Sequence, residues 1–204
     1  MPTIDRHNGF LAEFAIFPVE AERQTNLVAQ VIQTVESNLA KKKGVVSGSV
    51  FRSRDGLRVT CYIQWADAAS YVASPSLPGF AVPDAHLFEI FAVEPEGSQL
   101  HLSPGMPGLI NFGIFKLKQP ENQPRFVELF EQALQMVSGQ PGLISTHAHR
   151  SLDGWRCINF GHWNSLEDYA AMDANRPFSP IFGEMLALAD NEYQKTLHEI
   201  VFTT

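Results

Sequence analysis

Positive charge is in short supply in this sequence. Lys and Arg number 15 against 22 Asp and Glu, a formal net charge of −7 with the histidines neutral, and the one basic run is Lys41 to Lys43. Nucleic-acid and anionic-membrane binders draw their affinity from a basic field, so the balance argues against both kinds of partner. Cysteine is scarcer still. Cys61 and Cys157 each fall inside an expected strand, too few for a disulfide framework and in keeping with a reducing compartment. No apolar run approaches the roughly 20 residues of a membrane-spanning helix, and the opening stretch Met1 to Phe10 is too polar for a secretory signal. A soluble, cytoplasmic protein is expected.

Apolar and aromatic residues are plentiful. Of 204 residues 45% are hydrophobic and 18% charged, with 15 Phe and 3 Trp, a composition able to fill a sizeable core. The sequence also matches itself. At an offset of 98 residues Gly44 to Ala73 lies on Gly142 to Ala171 without a gap, and Arg52, Asp55, Gly56, Arg58, Trp65 and Tyr71 recur as Arg150, Asp153, Gly154, Arg156, Trp163 and Tyr169. The same offset carries Leu11, Phe14, Ile16 and Phe17 onto Leu109, Phe112, Ile114 and Phe115, and Phe80 onto Phe178. Beyond that point register returns at an offset of 110, with Glu89-Ile90 on Glu199-Ile200, so the second repeat carries an insertion around Ile181 to Gln194. Its Met185, Leu186 and Leu188 suggest an extra helical turn or two.

Each repeat reads as strand, helix, strand, strand, short helix, strand. Val28, Val31, Ile32, Val35 and Leu39 in the first repeat, and Phe126, Leu129, Phe130, Ala133 and Val137 in the second, keep the spacing of one buried helical stripe. Asp55-Gly56 and Asp153-Gly154 lie between extended segments and predict tight type I′ hairpins. Ser165 with Asp168 predicts an N-cap for a short helix from Leu166. The division is residues 1–94 as repeat one, 95–108 as a linker rich in Pro, Gly and Ser, and 109–204 as repeat two. A four-stranded sheet with two helices on one face leaves its other face bare, and two such units cover each other. The expected fold is α+β: two ferredoxin-like repeats forming an intra-chain dimeric α+β barrel, with a homodimer of such chains as a weaker expectation.

The turn Arg150-Ser151-Leu152-Asp153-Gly154 leading to Asn159, Trp163 and Tyr169 resembles the antibiotic biosynthesis monooxygenase family in a tandem-repeat form. The resemblance implies an oxidoreductase that uses no cofactor, a monooxygenase converting a hydroxyarene or anthrone to a quinone with O2. It also implies catalytic roles for Asn111, Asn159 and Trp163. The first repeat carries Glu13, Cys61 and Trp65 at those places, so its site is expected to be degenerate.

The residues themselves support the same placement. Strands paired about Asp153-Gly154 set Ala148 opposite Asn159 and Thr146 opposite Gly161, on the face that bears Trp163. Asn111, Gly113 and Phe115 share one face of the first strand. Small residues beside two amides predict a cavity with a polar end, whereas Val50 and Ile63 fill that space in the first repeat. The amide N–H groups of Asn111 and Asn159 and the indole N–H of Trp163 are donors for a developing oxyanion. Gly113, Phe115, Phe126, Phe130, Ala148, Gly161 and Tyr169 are the expected substrate contacts, with His198 a candidate base near the last strand.

His147, His149 and His162 face away from Asn159. Alternate strand residues stand about 7 Å apart, too far for easy sharing of one ion, so no metal is expected. The competing readings are a haem-degrading relative, which needs an axial histidine soon after Trp163, and a binding protein that keeps the fold without catalysis.

Overall fold

The computed structural model describes residues 1–72, 77, 80, 86–175, 179–192 and 196–204. The match of Phe80 to Phe178 and the end of the insertion at Gln194 involve positions outside the described residues. In chain order the elements are β1 (Thr3–Ile4), β2 (Leu11–Pro18), α1 (Gln24–Ser37), β3 (Val45–Ser53), β4 (Arg58–Trp65), α2 (Ala68–Val72) and β5 (Leu87–Glu94). Then follow β6 (Leu100–His101), β7 (Leu109–Leu117), α3 (Gln123–Val137), β8 (Leu143–Ser151), β9 (Arg156–Trp163), α4 (Leu166–Asn175), α5 (Ser179–Leu188), β10 (Ala189–Asn191) and β11 (Leu197–Thr203). The repeated order read from the sequence is present twice, as ferredoxin-like α+β units. The insertion in the second repeat is α5 with the short strand β10. Among the described residues no helix is long and apolar enough to cross a membrane.

Compactness divides the chain differently from repetition. One compact unit comprises Met1–Glu89, Leu100–Met106 and His198–Thr204, the other Ile90–Gln99 and Pro107–Leu197. In the first unit β2, β3 and β4 form the sheet, β11 adds alongside β3 with Ile200 opposite Phe51, and β5 begins alongside β2. In the second, β7, β9 and β8 form the sheet, β10 adds at β7 and the later residues of β5 lie beside β8. Each repeat's closing strand therefore contributes to the other repeat's unit. Val201 and Phe202 pack on the first unit's core, and Phe91 and Ala92 are buried in the second's, where Phe91 meets the Phe130 ring at 5.7 Å. The segment expected to be a plain linker holds β6, which pairs with β1 through Ile4 and Leu100.

The helical stripes are where the spacing puts them. Val31 and Val35 of α1 and Phe126, Leu129, Phe130 and Ala133 of α3 are buried against their sheets. Burial of such side chains contributes about 1.5–3 kcal/mol each. Ser165 caps α4, its hydroxyl accepting the Asp168 N–H at 3.1 Å.

The hairpins differ from the two-residue expectation. Gly154 N–H donates to the Ser151 carbonyl at 3.2 Å, and the Arg156 N–H is taken by the Ser151 hydroxyl at 2.8 Å. The loop is thus four residues long, with Gly154 at φ +86° where a side chain would be strained. Asp153 accepts from the Trp155 N–H at 3.2 Å, a local bond that favours this longer turn. Lengthening the loop by one residue on each side leaves the register unchanged, so Ala148 pairs with Asn159 and Thr146 with Gly161 as the sequence predicts.

Candidate active site

Three strands of the second unit, β8, β9 and β7, build a floor in rows. One row is Leu143, Trp163 and Leu109; the next is Thr146, Gly161 and Asn111; the third is Ala148, Asn159 and Gly113. Because strand side chains alternate, these rows share one face. That face lies under α3, α4 and α5, and between them is a cavity containing about 780 Å³ of space free of atoms, its mouth included. Phe115 and Phe130 wall it from the sheet and α3, Tyr169, Met172 and Asp173 from α4, and Phe182 and Met185 from the inserted α5. A mostly apolar chamber with a few polar groups is the usual form of a small-molecule site.

The polar groups converge on Gly161. A Cβ built there would stand 3.1 Å from Trp163 Nε1, 3.4 Å from Asn159 Nδ2 and 3.7 Å from Asn111 Oδ1. The missing side chain leaves the strand backbone uncovered at that point, so another molecule can approach these three groups from above the floor. The Thr146 hydroxyl donates to Asn159 Oδ1, which turns the Asn159 NH2 toward the opening above Gly161. Among the described residues neither that NH2 nor the Trp163 indole N–H meets an acceptor, so two donors in a largely buried setting are unspent.

Asn111 behaves differently from the sequence expectation. Its NH2 donates to the Tyr169 hydroxyl at 3.1 Å, and its carbonyl oxygen is the atom facing Gly161. Asn111 thus offers an acceptor, not a donor.

The remaining expected contacts separate into groups. Gly113, Phe115, Phe130 and Tyr169 line the cavity. Phe126 does not: it is fully buried behind Phe115 and Phe130, with ring centroids 5.1 and 5.8 Å away. Ala148 and Gly161 stand in the floor rows, but neither is among the lining residues, Ala148 being buried in the core cluster. His198 lies on β11 opposite Ser53 in the first unit and is not among the lining residues. Its expected role as a base has no support in this placement. Thr146, Asp173, Phe182, Met185 and Asn191 line the cavity in addition to the residues the sequence points to. Thr146 was legible from the same alternation that gave Ala148, whereas Phe182, Met185 and Asn191 belong to the insertion, which has no counterpart to align with.

On the opposite face of β8 and β9 the three histidines are buried. His147 Nε2 lies 3.3 Å from the Ser98 carbonyl, His149 Nδ1 3.0 Å from the His147 carbonyl and His162 Nε2 2.8 Å from the Pro107 carbonyl. Burial pushes the His149 imidazole down to about 3, with His147 adding to the fall, and burial also lowers His162. All three rings bond to backbone carbonyls, and burial disfavours the charged form of His149 and His162.

In the first unit the corresponding positions are filled. Val50, Cys61, Ile63 and Trp65 are each 0% exposed in one core cluster. The Trp65 N–H donates to Glu13 Oε2 at 3.1 Å, and burial pushes the Cys61 thiol far above its ordinary range.

The sequence pattern of the antibiotic biosynthesis monooxygenases matches residues 106–179, which span the cavity's floor and its α3 and α4 walls. Tetracenomycin-F1 monooxygenase of Streptomyces glaucescens is 33% identical over 81 residues, 39% of this chain and 70% of that protein. The chain belongs to the antibiotic biosynthesis monooxygenase family. Among solved structures, one described as an anthrone oxidase-like protein has a TM-score of 0.82 at 18% identity, covering 100% of this chain and 96% of that one. A provisionally named monooxygenase of Fusobacterium nucleatum subsp. nucleatum has a TM-score of 0.61 at 9% identity, covering 95% and 93%. At such identities these two likenesses concern the fold, and they extend it over both repeats of this member of the antibiotic biosynthesis monooxygenase family.

Proposed function

We propose that the cavity of the second unit binds a flat hydroxyarene of the anthrone type and converts it to the quinone with O2, using no cofactor, while the first repeat keeps the fold without a working site. The observation that carries this reading is the pair of unspent donors, Asn159 NH2 and Trp163 N–H, meeting above Gly161. A hydroxyarene oxygen set there gains negative charge as its proton leaves, and donors already aimed at it stabilise that charge without reorganisation, each worth about 10²–10³ in rate. Asp173 is the carboxylate among the lining residues and the candidate acceptor for the proton.

The ionised ring is electron-rich and reduces O2 directly. One oxygen atom joins the ring carbon, the other leaves as water with the two hydrogens that the substrate loses, and anthrone plus O2 becomes quinone plus water. The apolar walls keep bulk water from the carbanion. The named activity of the Streptomyces relative and the anthrone oxidase-like name of the structural neighbour support the substrate class. Haem degradation fits less well, since no described residue lining the cavity is a histidine.

The test is oxygen uptake by purified protein given a hydroxyanthrone, after dialysis against a strong chelator, with the quinone followed by absorbance. One quinone formed per O2 consumed is the expected stoichiometry. Absence of uptake above the spontaneous rate sinks the proposal.

A further inference from the structure

The proposed reaction uses the floor around Gly161 and leaves one buried polar group of the same cavity without employment. Asn191 lines the cavity from β10. Its Oδ1 is buried and meets no donor among the described residues. A buried amide oxygen without a partner is costly, and in native proteins such a group marks a place where a ligand or ordered molecule supplies the missing bond.

Its position fixes what kind of ligand atom that is. Asn191 stands directly opposite Phe115, and Phe115 opposite Cys157, so it shares the floor's face at the row beyond Asn159. Two strand spacings and one alternate-residue step separate Asn191 from Asn159, about 12 Å across the floor, which is about the long dimension of three fused six-membered rings with a substituent at each end. Between the two amides the lining is Gly113 and aromatic carbon from Phe115. The cavity is thus polar at one end, apolar in its middle, and polar again at Asn191. A hydroxyl is the group that satisfies a primary amide at its carbonyl or at its NH2.

We infer that Asn191 is a specificity residue that selects a ring system bearing a second hydroxyl at the end remote from the oxygen held by Asn159 and Trp163. The inference rests on the proposed reading of the cavity as a hydroxyarene site. Among the described residues the first repeat shows no counterpart of β10, and the offset between the repeats grows from 98 to 110 across this segment, so Asn191 stands on the part of the chain by which the two repeats differ.

Two stable products distinguish the ideas: 2,6-dihydroxyanthraquinone, with hydroxyls at both ends of its long axis, and 2-hydroxyanthraquinone, with one. Their dissociation constants are measured by tryptophan-fluorescence quenching and checked by calorimetry. The intact protein is expected to bind the dihydroxy compound at least about tenfold more tightly, because the mono compound leaves a buried amide unpaired. In Asn191→Leu the ratio should fall to near unity with affinity for the mono compound kept. Asn191→Ala, which adds no bulk, provides the same comparison if the Leu variant does not fold. Equal affinities in the intact protein, or a preference that survives both substitutions, overturns the inference. Oxygen uptake with a hydroxyanthrone is read in parallel. Preference without uptake removes the proposed reaction and keeps the subsite; uptake without preference removes the subsite and keeps the reaction; binding of neither quinone removes both.

Discussion

The Trp65 indole N–H donates to the Glu13 carboxylate at 3.1 Å, while Trp163, its counterpart in the second repeat, meets no acceptor among the described residues. The same ring sits on the same strand beside the same kind of helix, packed against Tyr71 in one case and Tyr169 in the other, at centroid distances of 5.5 and 5.4 Å. One position in the neighbouring strand separates them. A glutamate at residue 13 consumes the donor; an asparagine at residue 111 turns its NH2 to Tyr169 and leaves the donor open.

Substituting these two tryptophans should therefore have opposite consequences. Trp163→Phe keeps the aromatic wall, removes an unspent donor and is expected to lower turnover by about 10²-fold with little change in melting temperature. Trp65→Phe is expected to leave turnover alone and to cost about 1–3 kcal/mol of stability, because it takes a partner from a buried carboxyl group. Thermal melts and oxygen uptake on both proteins check the pair.

Asn159→Ala and its counterpart Cys61→Ala make a second internal control. Both truncate a mid-strand side chain, yet only the first removes an NH2 from the cavity floor. Turnover should fall about 10²- to 10³-fold in Asn159→Ala and stay near wild type in Cys61→Ala. Equal activity losses in the two would point to two working sites.

Gly161→Ala tests the room above the floor. The added methyl would stand 3.1 Å from Trp163 Nε1 and 3.4 Å from Asn159 Nδ2, on the floor over which the substrate oxygen approaches these donors. Misplacing that oxygen by about 1 Å costs about 10²-fold in kcat/KM. Binding of a product quinone, measured by fluorescence quenching, should weaken in step.

Much of this arrangement is legible before any coordinates. Alternation and a hairpin register were enough to set Asn159 between Ala148 and Gly113, because a strand's period of two leaves each residue one of two faces. The turn type is not legible in this way: an Asp-Gly pair satisfies both a two-residue and a four-residue loop, and the choice is made by the Ser151 hydroxyl and the Asp153 carboxylate bonding backbone N–H groups. The orientation of the Asn111 amide was out of reach for a similar reason, since it depends on Tyr169, fifty-eight residues away in sequence. Phe126 illustrates a third limit. A helical stripe identifies buried residues without saying which of them border a void and which lie behind it.

The histidines on the far face set the response to acid. Burial holds His149 neutral down to about pH 3 in the folded protein, while its ordinary value is 6.5. Between those values the unfolded chain binds the extra proton, so stability declines as pH drops from about 6.5 toward 3, by at most about 1.4 kcal/mol per unit. His162, lowered in the same direction by burial, adds to the slope. Denaturant melts from pH 7 to 4 should show a shallower acid limb in His149→Gln than in wild type, and equal limbs would contradict the assignment.

The traded closing strands have a consequence for how the chain can be divided. Residues 1–94 contain no β11 to lie beside β3, and residues 109–204 contain no β5 to lie beside β8. A gene severed between the repeats would yield two halves, each with an unsheltered sheet edge and a core missing an aromatic residue, Phe202 in one and Phe91 in the other. Such halves are expected to aggregate when made alone and to rescue one another when made together. The first repeat is thereby kept: the unit that holds the cavity takes part of its sheet and core from residues 90–94, which only the first repeat supplies.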